Sequence, residues 1–133
     1  MSKDLFADLD HRFAERLKRL QAAALAAKLP LKLIITIRSI VEQNGLYAKG
    51  RTAPGPKVTN AKGGYSWHNF GLAGDWWGPT MTPAQWQKFG HLARVEGLTW
   101  GGDWPTLRDY GHVEYRPPGT SLAQLRRNAG LRA

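Results

Sequence analysis

The sequence contains no cysteine, which excludes disulfide staples, thiolate nucleophiles and Cys-ligated zinc or iron–sulfur sites. Any metal must therefore sit on His, Asp or Glu. Acid is scarce: 10 Asp+Glu face 19 Lys+Arg, a formal charge of +9. Long apolar runs are missing too. The longest, around Leu33-Ile34-Ile35-Thr36-Ile37, falls far short of the roughly 20 residues a membrane span needs. The start, Met-Ser-Lys-Asp-Leu-Phe-Ala-Asp, mixes charges with apolar residues and lacks the apolar run of about 7–15 residues that marks a secretory signal. We therefore read a chain with no signal peptide, made in the cytoplasm. Its 133 residues suit one domain spanning 1–133, since domains commonly run about 100–150 residues, with no separate wall-binding module.

Hydrophobic residues make up 42% and charged ones 22%, ordinary globular usage that argues against a disordered basic tail. A charge of +9 expects an anionic partner but does not choose among nucleic acid, an acidic membrane face and a cell-wall polymer. Solubility alone would also account for it.

Leu5, Phe6, Leu9, Phe13, Leu17, Leu20 and Leu25 recur at steps of three and four, predicting an amphipathic helix that ends before Pro30 and faces the core. Leu31 to Ile37 reads as a buried strand. Ser39-Ile40-Val41-Glu42 is a capping box opening a helix that Gly50 stops, which leaves Arg38 at the strand-to-helix corner. Residues 51–65 hold two prolines, three glycines and three cations but no acid. A loop of this length is uncommon and often functional. Thr82-Pro83-Ala84-Gln85 opens another helix, with Trp86, Phe89, Leu92, Ala93 and Val95 toward the core and Gly97 at its end. Leu98–Trp100 and Tyr110–Tyr115 read as short strands, and Ser121 caps a last helix. Interleaved helices and short strands predict an α+β fold.

Two clusters carry chemistry. One is Ser66-Trp67-His68-Asn69-Phe70-Gly71-Leu72-Ala73-Gly74-Asp75. The other is Trp100-Gly101-Gly102-Asp103-Trp104, leading through Asp109 to His112 and Glu114. Two His and one Asp, here His68, His112 and Asp75, would make a three-ligand set for a catalytic zinc, which keeps its fourth position for water or substrate, but spacing alone does not bring them together. In an extended strand Asp109 and His112 would point to opposite faces, so sharing one site requires a twist that Gly111 permits, as glycine in a strand often marks a bulge or tight bend. Glu114 shares the face of His112 and could orient it or compete with Asp109 as base. His11 and His91 lie on predicted helices without ligand-like neighbours. Four of the six tryptophans sit beside these clusters and are expected to pack the walls of a cleft.

Ser66-x-His68-x-x-Gly71-x-Ala73-x-Asp75, followed by Trp100-Gly101-Gly102-Asp103-Trp104 and Asp109-x-x-His112, resembles the zinc D-Ala-D-Ala carboxypeptidase and L-alanyl-D-glutamate endopeptidase family. That family includes VanY-like peptidases and bacteriophage endolysins. The resemblance begins near Ile35 and runs to about Glu114, over half the chain. It implies a small α+β domain whose antiparallel sheet carries Zn2+, flanked by helices, with His68, Asp75 and His112 as ligands and Asp109 as catalytic acid/base. Arg38 matches the arginine that faces substrate and helps stabilise charge on the scissile carbonyl, and Ser66 a substrate or supporting contact. Asp103 and Glu114 are candidate supporting carboxylates, with pinning of its own loop the other role open to Asp103. The chain departs from the family pattern at Ile37, Gly74, Gly111 and Val113, where other residues are usual.

By this resemblance the chain is expected to be a monomeric zinc peptidoglycan peptidase of the endolysin type. It would cut the stem peptide at the L-alanyl-D-glutamate bond and reach the wall after release from the host cytoplasm. A D-Ala-D-Ala carboxypeptidase is the alternative within the class. From another class, a basic nucleic-acid-binding module fits the charge but lacks zinc-finger spacing, an RNA-recognition signature or a basic recognition helix. Arg116, Arg126, Arg127 and Arg132, in an acid-free tail, are expected to hold anionic envelope polymers.

Overall fold

The computed structural model describes residues 4–131. Helix α1 spans His11–Ala26, strand β1 Lys32–Ile35, α2 Ile40–Ala48, β2 Ala73–Trp77, α3 Pro83–Val95, β3 Thr99–Trp100, β4 His112–Glu114 and α4 Leu122–Asn128. Short 3₁₀ turns cover Trp67–Phe70 and Gly101–Asp103. The strands form one antiparallel sheet in the order β1-β2-β4-β3. This is the expected α+β class.

Local chemistry sets the helix starts. Ser39 Oγ accepts the Glu42 amide while Glu42 reaches back to the Ser39 amide, and Thr82 and Gln85 repeat the arrangement with Pro83 in the first turn. Asp10 caps α1 by accepting from the Arg12 amide. The first helix therefore starts later than the leucine spacing predicts: Leu5, Phe6 and Leu9 precede it and pack against the core from a turn. Leu25, 79% exposed, and Val95, 65% exposed, keep helical spacing but lie near the C-terminal ends of their helices, outside the buried cluster.

The sheet has two unlike faces because side chains alternate along each strand. Gly74 pairs with Val113, and Val113 with Trp100. With Leu33 and Trp76, this face packs on Phe13, Leu17 and Leu20 of α1 and Phe89 and Ala93 of α3. Burying each large apolar side chain contributes about 1.5–3 kcal/mol. A Cβ on Gly74 would lie 3.3 Å from Leu33 and 3.6 Å from Leu17 and Phe13, so β1 and α1 together close over this position. Asp75 pairs with His112, and Ala73 with Glu114, which puts all three polar side chains on the opposite face.

Strand β1 differs from the fully buried strand expected. It is an edge strand, and only Leu33 of its four residues is buried. Its pairing with β2 slips between Leu33 and Ile35; such an irregularity bends a strand and re-aims the residues beyond it. Thr36, next along, is buried and donates its hydroxyl to the Leu5 carbonyl at 2.6 Å.

The tryptophans divide rather than gather. Trp76 and Trp100 are core residues, Trp77 is half exposed, and Trp86 stacks edge-on against Phe89. Trp67 and Trp104 line a cleft over the polar face of the sheet.

Candidate metal centre

The polar face of the sheet floors a cleft of about 850 Å3, walled on one side by residues 57–61 and on the other by residues 104–109. His68 enters it from the 3₁₀ turn, Asp75 from β2 and His112 from β4. One ligand atom from each lies within 4.8 Å of the other two. His68 Nε2 stands 3.2 Å and His112 Nδ1 3.0 Å from the same Asp75 oxygen, Oδ1.

Backbone and buried groups fix both rings. The other nitrogen of His68, Nδ1, lies 2.5 Å from the Thr36 carbonyl. A carbonyl only accepts, so Nδ1 donates to it, and Nε2 is the ring nitrogen turned toward Asp75. Ser66 Oγ caps the turn by accepting from the His68 amide, and Asn69 closes the capping box. The Arg38 amide donates to the His68 carbonyl at 3.0 Å. Ser66 lines the cleft as well as capping the turn.

On the far side, His112 Nε2 lies 2.6 Å from Glu114 Oε1, and Arg116 Nε donates to Glu114 Oε2. Burial disfavours the imidazolium, yet the carboxylates of Asp75 and Glu114 outweigh it and push His112 up to about 9. Asp75 is the converse case. Burial would raise its carboxyl, but hydrogen bonds from His112 and His68 hold it well below the usual carboxylate range. Glu114 is likewise lowered against burial by His112 and Arg116.

Asp109 opens to solvent in the same cleft. Partial desolvation, helped by the negative charge of Asp75, raises its pKa. The Trp-Gly-Gly-Asp-Trp stretch is the frame that places it. The Asp109 amide donates to the Gly101 carbonyl at 3.1 Å, and Trp100 Nε1 holds the Tyr110 carbonyl at 2.7 Å. A Cβ on Gly101 would stand 2.3 Å from the Asp109 carbonyl, and one on Gly111 2.2 Å from that of Trp76. Only glycine admits those approaches. Gly111 packs closely ahead of β4, inside a turn closed from the His112 amide to the Asp109 carbonyl, so of the two expected devices the structure uses the tight bend.

Arg38 sits at the corner as expected. Its Nη2 is 3.5 Å from Asp75 Oδ2 and its Nη1 donates to Gln43 Oε1 at 3.0 Å. Gln43, 1% exposed, donates in turn to the Ala61 carbonyl at 2.6 Å, tying the arginine to the loop wall. Gln43 and the Thr36 carbonyl are site components that the sequence reading missed. A buried amide in a helix that opens with a capping box was the available signal for the first; a backbone acceptor leaves none.

Asp103 is not among the residues that line the cleft. It pairs with Arg94 of α3 at 2.9 Å, and so pins its loop. The basic segments are also more engaged than their charge suggested. Arg51 donates to the carbonyls of Tyr47 and Thr59 and stacks on the Tyr47 ring. Arg126 is buried over Tyr65, and Arg116 turns inward to Glu114. Of the tail arginines expected to hold polymers, Arg127 stays exposed and Arg132 lies outside the described residues. His11 and His91 are exposed and are not among the residues that line the cleft. Among the described residues no helix is long and apolar enough to cross a membrane.

Comparison with known proteins adds a second line. The VanY family, described as D-alanyl-D-alanine carboxypeptidase, matches residues 7–99, which include His68 and Asp75 and stop short of Asp109 and His112. The peptidoglycan L-alanyl-D-glutamate endopeptidase CwlK of Bacillus subtilis (strain 168) is 38% identical over 111 residues, with 71% of this chain and 66% of CwlK covered. The chain thus spans just under two thirds of that relative. Among solved structures, the Serratia marcescens L-Ala D-Glu endopeptidase ChiX superposes with a TM-score of 0.58 at 21% identity, covering 84% of each chain. A vancomycin-resistance D,D-pentapeptidase VanY in complex with Zn(II) gives 0.59 at 18% identity, covering 92% of this chain and 80% of the other. At these identities the structures speak for the fold.

Proposed function

The chain belongs to the VanY family, and from that premise we propose that it is a zinc-dependent peptidoglycan peptidase that cuts the stem peptide at the L-alanyl-D-glutamate bond. The observation that carries the reading is the convergence of His68 Nε2 and His112 Nδ1 on Asp75 Oδ1 at the floor of a cleft. Two imidazoles and one carboxylate are the donor types zinc takes in catalytic sites. Each imidazole is oriented through its other nitrogen, by Thr36 and by Glu114, as metal-binding histidines ordinarily are. The residues present therefore fit the metal. CwlK directs the choice of bond.

Bound zinc supplies Lewis-acid activation of water and of the scissile carbonyl. The rest is the work of the chain. Asp109, its pKa raised by the cleft, accepts a proton from the attacking water and returns it to the leaving amine. Arg38, fixed by Gln43 and Asp75, presents its guanidinium to the charge that grows on the scissile carbonyl oxygen. Ser66 and Trp104 line the cleft that takes the peptide. The physiological setting in this reading is lysis by a bacteriophage endolysin acting on the wall from within the host, with the monomer as working form.

The D-alanyl-D-alanine carboxypeptidase activity for which the family is described is the second reading. Digestion of purified sacculi separates the two. New L-Ala carboxyl and D-Glu amino ends, lost with a chelator and regained with zinc, are the expected result. Released D-alanine would move the assignment to the second reading, and cleavage indifferent to chelation would remove zinc from it.

A further inference from the structure

Three cationic side chains line the cleft: Arg38, Lys57 and Arg116. They are not equivalent. Arg38 is committed to Asp75 and Gln43 beside the ligand set, and Lys57 stands exposed on the loop wall without an ion-pair partner among the described residues. Arg116 is held at two points yet remains open. Its Nε donates to the buried Glu114, and its guanidinium lies 5.6 Å from the centre of the Trp67 ring. The side chain is nevertheless 52% exposed. A guanidinium carries five N–H donors in a rigid fork. The bond to Glu114 uses one, and among the described residues nothing takes the Nη donors. The fork is thus pre-oriented in the lining of the cleft, two residues beyond the end of β4 and four beyond His112.

We propose that Arg116 is a specificity-determining residue: its outer edge binds a substrate carboxylate next to the cut bond, with Glu114 and Trp67 holding it in place. The proposal rests on the peptidase reading and names the group recognised. In an L-alanyl-D-glutamate unit whose chain continues through the γ-carboxyl, the glutamate α-carboxylate remains free beside the scissile amide. A bidentate guanidinium–carboxylate pair suits that group. A carboxamide in its place offers one acceptor, no charge, and an N–H2 that faces donors.

The test uses paired synthetic stem peptides, one with the free α-carboxylate and one with the carboxamide, on zinc-loaded wild type and Arg116→Gln. Wild type is expected to favour the acid. Arg116→Gln should raise KM for the acid by about tenfold to a hundredfold, the range for loss of a hydrogen-bonded charge, and change KM for the amide by less than about threefold. Arg116→Lys should restore part of the preference. Arg127→Gln, which removes the same charge outside the cleft, should leave the acid-to-amide ratio at its wild-type value. Binding of both peptides to zinc-loaded Asp109→Asn, with and without Arg116→Gln, gives the same comparison without turnover. Equal weakening of both peptides, an unchanged ratio, or a loss explained by a fall in zinc content would each overturn the assignment. If wild type neither cuts nor binds either peptide, the peptidase reading fails first, and the two failures are distinct.

Discussion

The floor and the walls of the cleft are built by different means. On the floor, His112 and Asp75 face each other across one rung of an antiparallel pair, and the carbonyl of Thr36 at the end of β1 orients His68. Sheet register sets these positions, and a slip of one residue would turn the side chains to the wrong face. The walls, residues 57–61 and 104–109, contain neither helix nor strand. A few hydrogen bonds hold them: Gln43 to Ala61 and Arg51 to Thr59 on one side, and the amides of Trp104 and Asp109 to the Gly101 carbonyl on the other. The three groups that could hold a metal stand on the floor, while Asp109 stands on a wall of irregular backbone, the kind of segment that carries function on a rigid scaffold.

The sharpest way to break this contrast is to remove a floor residue. His68→Ala or Asp75→Ala is expected to abolish peptidase activity and drop zinc to well below one per chain, measured by metal analysis. The hydrophobic cluster lies on the opposite face of the sheet, so these variants should stay folded by circular dichroism. Asp109→Asn comes next. A lost general base typically costs about 10²–10⁴ in rate, and zinc content should hold because Asp109 stands outside the ligand set. An active Asp109→Asn would pass the role of base to another carboxylate, with Glu114 the first candidate.

Titration tests the floor without mutation. In metal-free protein His112 is raised to about 9 from an ordinary 6.5. Its contribution, on the order of 3 kcal/mol, is fully present below pH 6.5 and is lost as pH rises through about 9. Chemical denaturation of chelated protein between pH 6 and 10 should show that decline. Zinc must displace the same proton, so its affinity should climb over the same window, with proton release in calorimetry at pH 7. Zinc affinity that stayed flat from pH 6.5 to 9 would mean that His112 is not a ligand.

Gln43→Ala tests the link between floor and wall. It leaves the Ala61 carbonyl and the Arg38 guanidinium short of a partner, which costs about 1–3 kcal/mol of stability. The wall should loosen while the metal stays, so KM should rise more than zinc affinity falls. A Gln43→Ala enzyme with native KM and native melting would show that the wall is held without this contact.

Legibility in the sequence divides along the same line. The capping boxes at Ser39 and Thr82 depend on residues three apart, and both are present. The cluster that could hold a metal is readable because histidine and acid are scarce in this chain and family spacing joins His68, Asp75 and His112. Tertiary partners are not readable. Leu25 and Val95 satisfy helical periodicity, but periodicity does not say where the opposing surface ends. The arginines of the tail read as surface charge, yet Arg116 lies on Glu114 and Arg126 on Tyr65. A charge count says nothing of the aromatic ring or buried carboxylate that receives a guanidinium.

Asp103 gives the smallest effect and the finest test of the contrast. It lies inside the Trp-Gly-Gly-Asp-Trp frame, six residues before Asp109, and the sequence alone allows it a place beside the metal. Its carboxylate instead meets Arg94 with both side chains about half exposed, and such pairs contribute roughly 0–1 kcal/mol. Glycine packing and the hydrogen bonds of Trp100 and Gly101 fix the frame. Asp103→Asn should therefore lower stability by less than about 1 kcal/mol, by denaturant titration, and leave zinc content and the rate per enzyme unchanged. A loss of rate comparable with that of Asp109→Asn would place Asp103 in the chemistry and make this wall part of the floor.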